Sequence, residues 1–273
     1  MLGYLIYSKE DIEKNQFFIQ KLESGFHQHG MKLETLIYEK ISLEKLENNP
    51  LPNFVINRSR FYDISFFFEE QDIPVFNSGL LTKVANDKLS CYQFLENIVP
   101  FMDAKSSTDY VSGEFSYPVV FKSCSGHGGS EVFLASNASD ELRAQKLLAG
   151  KPYLIQKCSN NPGKDVRVYI LGNEVVAAVL RTSLNSFKSN YSLGGNVSLY
   201  ELNDYERGFV DAILRVLPMD YAGIDFIFHD GKAVFNEIED AVGARMLYEV
   251  SDIDIADQYV DYLVKEILKR CNS

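Results

Sequence analysis

Residues 222–240, AGIDFIFHDGKAVFNEIED, contain two apolar segments separated by a short polar turn. The segments GIDFIF and AVFNEIE have the length and composition of strands, and the Asp-Gly pair between them is a strong signal for a two-residue hairpin. Three carboxylates interrupt the apolar pattern: Asp225 in the first strand, and Glu237 and Glu239 in the second. Because side chains alternate along a strand, the two glutamates are predicted to share a face.

A divalent cation would explain carboxylates on one face of an apolar hairpin, since buried carboxylates repel one another unless a cation compensates their charge. Mg²⁺ accepts such oxygen ligands and fills its other positions with water and substrate phosphates. The three acids therefore predict a metal and nucleotide site. The alternative, which the hairpin alone leaves open, is the ordinary solvated face of an antiparallel strand.

A glycine-rich loop at residues 123–130, SCSGHGGS, follows Lys122 at the end of the strand-like segment YPVVFK. Backbone N–H groups in such a loop can approach phosphates closely, and the lysine adds a positive charge. The loop matches neither the Walker P-loop nor the Rossmann fingerprint. Because glycine-rich turns between strands are common, this loop alone is a weak indication of a phosphate site.

The composition is that of a globular protein with an acidic surface. The 273 residues are 46% hydrophobic and 24% charged, which excludes disordered, collagenous and coiled-coil chains. With 27 basic and 38 acidic residues the net charge is −11, so the surface is expected to repel nucleic acid and anionic membranes. The four cysteines form no Cys-x-x-Cys pair, and the first residues lack a signal or membrane span, which favours a cytoplasmic protein.

The order of predicted elements suggests two or three packed subdomains. Strand-like runs alternate with helical patterns in the first part, which predicts an open parallel α/β layer. A β-loop-β-α-β unit follows, and the remainder reads as two hairpins and two helices. The predicted strands include residues 2–7, 31–38, 53–57 and 73–77, and the predicted helices include one beginning near Asp87, one capped near Ser139, one at residues 204–216 and one at residues 253–270.

Seven segments occur in the order, and with the gaps, of a known family. They are IPVFNS with the following NDK, YPVVFKSCSGHGGSEVFL, YLIQK, GKDVRVYILGNEVVAAVLR, SFKSNYSLGG, AGIDFIF and FNEIEDAVGARMLYEVSDIDIA. Over roughly residues 73–262 they make the sequence resemble the ATP-grasp carboxylate–amine ligases, most closely the branch of the ribosomal protein S6 glutamate ligase.

The resemblance implies an α/β (α+β) ATP-grasp fold in three parts. These are an N-terminal Rossmann-like pre-ATP-grasp subdomain at residues 1–85, a central lid subdomain at 86–157 and a C-terminal metal and nucleotide subdomain at 158–273. It also implies ATP and Mg²⁺ as cofactors, with Mn²⁺ a possible substitute, and a homodimer as a possible assembly. No nucleic acid or membrane partner is expected.

The family's functional positions carry over motif by motif. The resemblance implies that Asp225, Glu237 and Glu239 are the metal ligands. The positions implied to bind ATP are Lys88, Lys122, Ser125, Gly126, His127, Gly128, Gly129, Gln156, Lys157 and Asp165. The positions implied to handle the phosphate and the activated acyl group are Arg167, Arg181, Lys188 and Asn190.

Three residues depart from the family pattern. Glu239 stands where Asn is usual, which adds a negative charge and is expected to change metal affinity or metal choice. Lys188 stands where close relatives have Arg, so a planar bidentate donor is replaced by a point charge. Lys157 stands where an acid is common beside the adenine, which matters little if that contact is mainly through the backbone.

The implied reaction activates a carboxylate as an acyl phosphate and joins it to an amine, releasing ADP and phosphate. The expected substrates are a small-molecule carboxylate and an amine, either an amino acid or a peptide. Two alternatives stay open: a peptide-modifying macrocyclase of the same family, and a non-catalytic nucleotide-binding regulator suggested by Lys188 and Glu239.

Two arginines and a histidine have open roles at this stage. Arg58 and Arg60 follow a predicted strand of the N-terminal part, which in this family often helps to bind the substrate carboxylate, but they could equally serve the fold. His127 either contacts phosphate or is an exposed loop residue.

Overall fold

Three β-sheets with packed helices make up the computed structural model, which describes residues 1–42, 46, 50–183 and 195–271. The first sheet and its helices contain β1 (Leu2–Tyr7), α1 (Lys9–Lys14), α2 (Gln16–Gln28), β2 (Lys32–Ile37), β3 (Phe54–Asn57), α3 (Tyr62–Glu69), β4 (Val75–Phe76) and α4 (Gly79–Ala85). Next come α5 (Lys88–Phe94), β5 (Ala104–Ser106), β6 (Val119–Ser123), β7 (Val132–Ala135), α6 (Ala138–Leu147) and β8 (Tyr153–Lys157). The last elements are β9 (Lys164–Leu171), β10 (Glu174–Thr182), β11 (Asn196–Tyr200), α7 (Asp204–Val216), β12 (Tyr221–His229), β13 (Lys232–Glu239), α8 (Arg245–Val250) and α9 (Ile255–Cys271).

The N-terminal sheet is parallel, with strand order β2-β1-β3-β4, as the alternating pattern predicts. Its central strands are apolar because helices cover both faces. On one face α2 packs against α9 from the far end of the chain, and Phe26 stacks on Phe54 with ring centroids 5.1 Å apart. On the other face Ile64 and Phe68 of α3 complete a second core.

The central sheet is antiparallel, with order β5-β8-β6-β7, and α6 packs against β7. The predicted β-loop-β-α-β unit is confirmed. Its helix begins earlier than predicted because Asn137, and not Ser139, is the N-cap: the Asn137 side chain accepts a hydrogen bond from the backbone N–H of Asp140 at 3.0 Å.

The C-terminal sheet is antiparallel, with order β11-β10-β9-β12-β13, and it carries the three acids of the closing hairpin. One face packs against α4, α5 and α7, and the other packs against the N-terminal unit and α9. Helix α7 begins and ends where the sequence predicts, because Asn203 and Glu206 form a capping box that fixes its first turn.

Several predicted boundaries were wrong. The fourth strand spans two residues instead of residues 73–77, and the last helix begins at Ile255, where Asp254 accepts a hydrogen bond from the Asp257 backbone N–H at 3.3 Å. The pattern analysis missed α3, α4, α8 and the short strands β5 and β11. The subdomain limits at residues 86 and 158 stay a prediction. Helix α5, which follows the first of these limits, packs against β13 of the C-terminal sheet.

Within the described chain, no helix combines the length and the apolar character that crossing a membrane requires.

Candidate active site

Three carboxylates meet on the hairpin of β12 and β13. Asp225 pairs directly with Glu237 across the two antiparallel strands, and Glu239 lies two residues further along β13. Carboxylate oxygens of all three lie within 4.8 Å of one another. Asp225 is completely buried, whereas the glutamates are partly exposed. The predicted alternation along the strand therefore brings the acids onto one face.

Two arginines from the neighbouring strands neutralise the buried aspartate. Arg167 on β9 lies opposite Asp225 in the sheet and binds it in a bidentate manner, with Nε to Oδ1 at 2.8 Å and Nη2 to Oδ2 at 2.7 Å. The third nitrogen of Arg167, Nη1, lies 2.8 Å from Glu239 Oε2. Arg181 on β10 donates to Asp225 Oδ2 at 2.6 Å and forms an ion pair with Asp165.

The charges of the cluster follow from these contacts. Burial alone would raise the pKa of Asp225, but the two guanidinium groups outweigh it and hold the pKa at about 2. Burial raises the pKa of Glu239 despite its contact with Arg167. For Glu237, Lys88 outweighs the effect of burial and the pKa is lowered. Asp225 and Glu237 are therefore held in the ionised form, whereas burial opposes the ionisation of Glu239.

Two buried lysines face the cluster from the central part of the chain. Lys88, the first residue of α5, donates from Nζ to the carbonyl oxygen of Gly126 at 2.5 Å and lies 3.4 Å from Glu237 Oε2. Lys122 on β6 donates to Asn236 Oδ1 at 2.8 Å. Burial lowers the pKa of Lys122 to about 8. Both ammonium groups are thus held inside the protein near the acids.

Asn236 is a member of this site that the sequence reasoning missed. A β-bulge interrupts the pairing of β12 and β13 between Asp225 and Phe226, so Asn236 has no partner in the strand register. A bulge of this kind redirects a side chain, and here the amide of Asn236 reaches Lys122. Strict alternation along the strand could not reveal this, and the adjacent acids were the only sequence signal.

Two adjoining cavities flank the carboxylates. The smaller, about 110 Å³, lies between the central and C-terminal sheets and is lined by Lys88, Lys122 and Glu237 among others. The larger, about 690 Å³, is lined by Glu239, the glycine-rich loop and residues of the N-terminal unit. Gly126 and Arg181 line both cavities. One pocket thus faces Glu237, the other faces Glu239, and the two meet beside the acidic cluster.

The sequence model of the RimK-like ATP-grasp domain matches residues 85–263, about two thirds of the chain. The protein belongs to the RimK-like ATP-grasp family. Members of this family are ligases, and the protein is an ATP-binding enzyme that forms carbon–nitrogen bonds between carboxylates and amines. The expected resemblance is confirmed.

Two curated relatives and one solved structure are similar to this chain. The uncharacterized protein MG011 of Mycoplasma genitalium is 28% identical over 96% of this chain and 92% of its own length. A probable alpha-L-glutamate ligase of Pasteurella multocida is 30% identical over 73% of this chain and 67% of its own. The ATP-grasp ligase PsnB, solved with a phosphomimetic variant of its minimal precursor, Mg and ADP, superposes with a TM-score of 0.71 at 17% identity, over 97% of this chain and 98% of PsnB. The ATP-grasp fold expected from the sequence is confirmed.

The glycine-rich loop of this RimK-like protein lies at the junction of the cavities. Ser125, His127 and Gly128 line the larger cavity, Gly129 lines the smaller, and Gly126 lines both. Gly128 and Gly129 both have positive φ, 62° and 74°, a conformation that strains any residue with a Cβ atom. His127 is exposed.

The remaining predicted positions fall into three groups. Gln156, Lys157 and Asp165 line the smaller cavity, where Gln156 donates to the Tyr92 hydroxyl at 3.1 Å and Lys157 is directed towards Asp103, 2.6 Å away. Arg167 lines the larger cavity and Arg181 lines both. Lys188 and Asn190 lie outside the described residues.

The structure also separates the two arginines that follow β3. Arg60 lines the larger cavity, with its backbone in the left-handed region at φ 69° and its guanidinium paired with Asp11. Arg58 is 2% exposed and donates to the Tyr7 hydroxyl and to the Val242 carbonyl oxygen. Arg60 thus borders the cavity as part of an ion pair with Asp11, whereas Arg58 is part of the protein interior.

A divalent cation fits the donor set of this site. Asp225, Glu237 and Glu239 offer hard oxygen atoms that lie close enough together to share one ion, which is the chemistry preferred by Mg²⁺ and Mn²⁺. Glu239 in place of the family's Asn still supplies an oxygen. Its additional charge is matched by Arg167 at 2.8 Å.

Proposed function

We propose that this protein uses Mg·ATP to convert a substrate carboxylate into an acyl phosphate, and that an amine then attacks this intermediate to give an amide, ADP and phosphate. The observation that carries the proposal is the junction of the two cavities at the carboxylate cluster. A phosphoryl group bound in one cavity can reach a carboxylate bound in the other only at such a junction.

The smaller cavity suits the nucleotide. Lys88 and Lys122 are buried cations with few carboxylate contacts, so phosphate oxygens would compensate the cost of their burial. Asp225, Glu237 and Glu239 would hold Mg²⁺, which supplies charge neutralisation for the transferring phosphoryl group. Gln156 and Lys157 lie on the strand that would face the adenine.

The larger cavity suits the carboxylate and the amine. It contains Arg60 on the N-terminal side and Arg245 on the C-terminal side, and both are cations that a carboxylate can bind. Arg181 lines both cavities and would stabilise the oxyanions that develop during transfer. The glycine-rich loop between the cavities would exclude water from the acyl phosphate.

A free amino acid is the carboxylate substrate we would test first, and the similarity to probable alpha-L-glutamate ligases makes L-glutamate the leading candidate. Peptide carboxylates and side-chain carboxylates are the next candidates. For the assembly of the protein, we expect a homodimer.

The decisive experiment replaces the unknown amine by hydroxylamine, which traps acyl phosphates as hydroxamates. Wild-type protein, Mg·ATP and hydroxylamine are incubated with L-glutamate or with pools of amino acids, dipeptides and small carboxylates, and ADP and hydroxamate are measured together. We expect equal amounts of both products with at least one carboxylate.

Two Glu→Gln variants make the result specific to the site. Glu237→Gln removes a carboxylate from the cluster and should abolish both products without unfolding the protein. Glu174→Gln changes an exposed glutamate at the start of β10 and should leave the rate unchanged. If Glu237→Gln reacts at the wild-type rate, the assignment of the metal site is wrong; if nucleotide binds but no carboxylate reacts, the non-catalytic alternative gains support.

A further inference from the structure

The loop at residues 240–244, which joins β13 to α8, forms part of the wall of the larger cavity directly after Glu239. Four side chains from other parts of the protein hold it by hydrogen bonds. Asn77 Nδ2 and Asn86 Nδ2 donate to the carboxylate of Asp240, at 2.8 Å to Oδ1 and 3.1 Å to Oδ2. Arg58 Nη2 donates to the Val242 carbonyl oxygen at 2.7 Å, and the Tyr169 hydroxyl donates to the Gly243 carbonyl oxygen at 3.1 Å.

Two of these four anchors come from the N-terminal sheet. Arg58 directly follows β3 and Asn77 directly follows β4, so both extend from the carboxyl ends of neighbouring parallel strands. The loop is therefore fixed in part by a sheet to which it does not belong.

Arg58 is an unusual anchor because its charge is buried without a direct ion pair to any described residue, and its attraction for an acid is limited to a lowering effect on the pKa of buried Asp240. Among the described residues it forms no ion pair, and its Nη1 has no hydrogen-bond acceptor. Its Nε donates to the Tyr7 hydroxyl at 2.8 Å. The guanidinium carbon lies 5.8, 5.0 and 5.2 Å from the ring centroids of Tyr7, Phe18 and Tyr221, so aromatic faces supply part of the compensation.

This environment does not favour an arginine for stability. Removing a guanidinium from water is costly, and apolar side chains of similar volume commonly replace buried charges with no loss of stability. The hydrogen bonds to Tyr7 and Val242 are the contacts that an apolar residue could not make, and of these two only the bond to Val242 reaches the wall of the larger cavity. Val242 lies three residues after Glu239, so the bond acts on the segment that continues from the carboxylate cluster.

We propose that Arg58 is a positioning residue: through the Val242 carbonyl it fixes the loop at residues 240–244 and thereby the position of Glu239 in the carboxylate cluster. This inference rests on the proposed metal and nucleotide site. It predicts that Arg58 controls the binding of the metal ion and not the binding of the nucleotide, because Arg58 is not among the residues that line the smaller cavity.

The test measures Mn²⁺ binding in the presence of saturating ADP, from the electron paramagnetic resonance signal of free Mn²⁺, together with ADP binding without metal and thermal unfolding. We expect Arg58→Met to weaken Mn²⁺ binding about tenfold while ADP binding and melting temperature are maintained. Arg58→Lys should weaken it about threefold, because one ammonium group reaches Val242 less well than the planar guanidinium does.

Phe26→Leu is the matched control for loss of packing. Phe26 belongs to the same buried core but stacks on Phe54, away from the loop. We expect this variant to lower the melting temperature and to bind Mn²⁺ as the wild type does.

Unchanged Mn²⁺ affinity in folded Arg58→Met would overturn the inference, and so would weakening by Phe26→Leu to the same extent. If Arg58→Met does not fold, Arg58→Lys takes its place, and wild-type affinity in that variant overturns the inference. A wild-type protein that binds no Mn²⁺ with ADP would overturn the proposed metal site itself, and the inference with it.

Discussion

Arg167 bridges Asp225 and Glu239: two of its nitrogens bind the aspartate at 2.7 and 2.8 Å, and the third lies 2.8 Å from the glutamate. The bridge explains how the protein accommodates an acid where the family usually has asparagine. The added negative charge has a cation beside it within the same sheet.

Glu239→Asn should therefore weaken the metal site. The change keeps an oxygen ligand but removes its charge, so we expect Mn²⁺ affinity in the presence of ADP to fall about threefold to tenfold. ADP affinity without metal should not change. Glu174→Gln is the control, and stronger Mn²⁺ binding by Glu239→Asn would mean that repulsion among the three acids outweighs their attraction for the ion.

Lys122→Met should separate nucleotide binding from stability. The lysine is buried and its pKa is lowered to about 8 by that burial, so its charge disfavours the nucleotide-free fold. We expect the variant to unfold at the same temperature as the wild type or above it, while ADP binding weakens at least about tenfold. Thermal unfolding and calorimetric titration measure the two effects, and undiminished ADP binding would exclude Lys122 from the phosphate site.

The same lysine predicts a pH dependence of stability. Its pKa of about 8 in the folded protein lies below the value of an unfolded lysine, so the unfolded chain binds more protons between these values. Wild-type stability should rise relative to Lys122→Met as pH increases through this window, by at most about 3 kcal/mol. Urea unfolding of both proteins from pH 7 to 10 measures the difference, and parallel curves would contradict the prediction.

Gly223→Ala should impair the site by steric pressure. Gly223 lies on β12 opposite Glu239, and a Cβ atom there would lie 2.9 Å from Val242 Cγ2 and 3.4 Å from Arg167 Cδ. We expect the free energy of unfolding to fall by about 1–2 kcal/mol. The rate of hydroxamate formation should fall further than this loss of stability explains. Gly208→Ala is a suitable control, since a Cβ atom on that α7 residue meets nothing within 4 Å.

Asp220 should make the protein lose stability as pH rises through the mildly acidic range. Burial raises the pKa of this aspartate to about 6. The hydrogen bond that the Tyr262 hydroxyl donates to it at 2.6 Å has the opposite, smaller effect on the pKa. The folded protein therefore binds the proton more tightly than the unfolded chain. Relative to Asp220→Asn, wild-type stability should fall by about 2 kcal/mol between pH 4 and pH 7, measured by urea unfolding. A pH-independent difference between the two proteins would contradict this assignment.

Local sequence signals predicted much of this architecture. Alternation along two strands and the Asp-Gly turn were sufficient to bring Asp225, Glu237 and Glu239 together, and the sequence pattern predicted the bounds of α7. These features depend on neighbours in sequence, and that is why pattern analysis could reach them.

Features that depend on distant partners could not be predicted in this way. The bulge at Asn236 breaks the alternation, and β11 is a short, largely exposed strand that is defined by its pairing with β10. Arg58 and Arg60 are two residues apart and look alike in sequence, yet the first is buried against α2 and β12 aromatics and the second lines a cavity. Only the packing of the N-terminal unit against the C-terminal sheet distinguishes them.

The pairing of acids with bases around Asp225 has a consequence for the order in which ligands arrive. Among the described residues, Asp165, Asp225, Glu237 and Glu239 face Arg167, Arg181, Lys88 and Lys122, so four negative groups are balanced by four positive ones. A bare divalent ion would enter a neighbourhood that is already neutral, whereas a metal–nucleotide complex carries its own anions to the two lysines. We therefore expect Mn²⁺ without nucleotide to bind at least about tenfold more weakly than Mn²⁺ with ADP. The enzyme would then bind the metal–nucleotide complex in preference to the free metal ion.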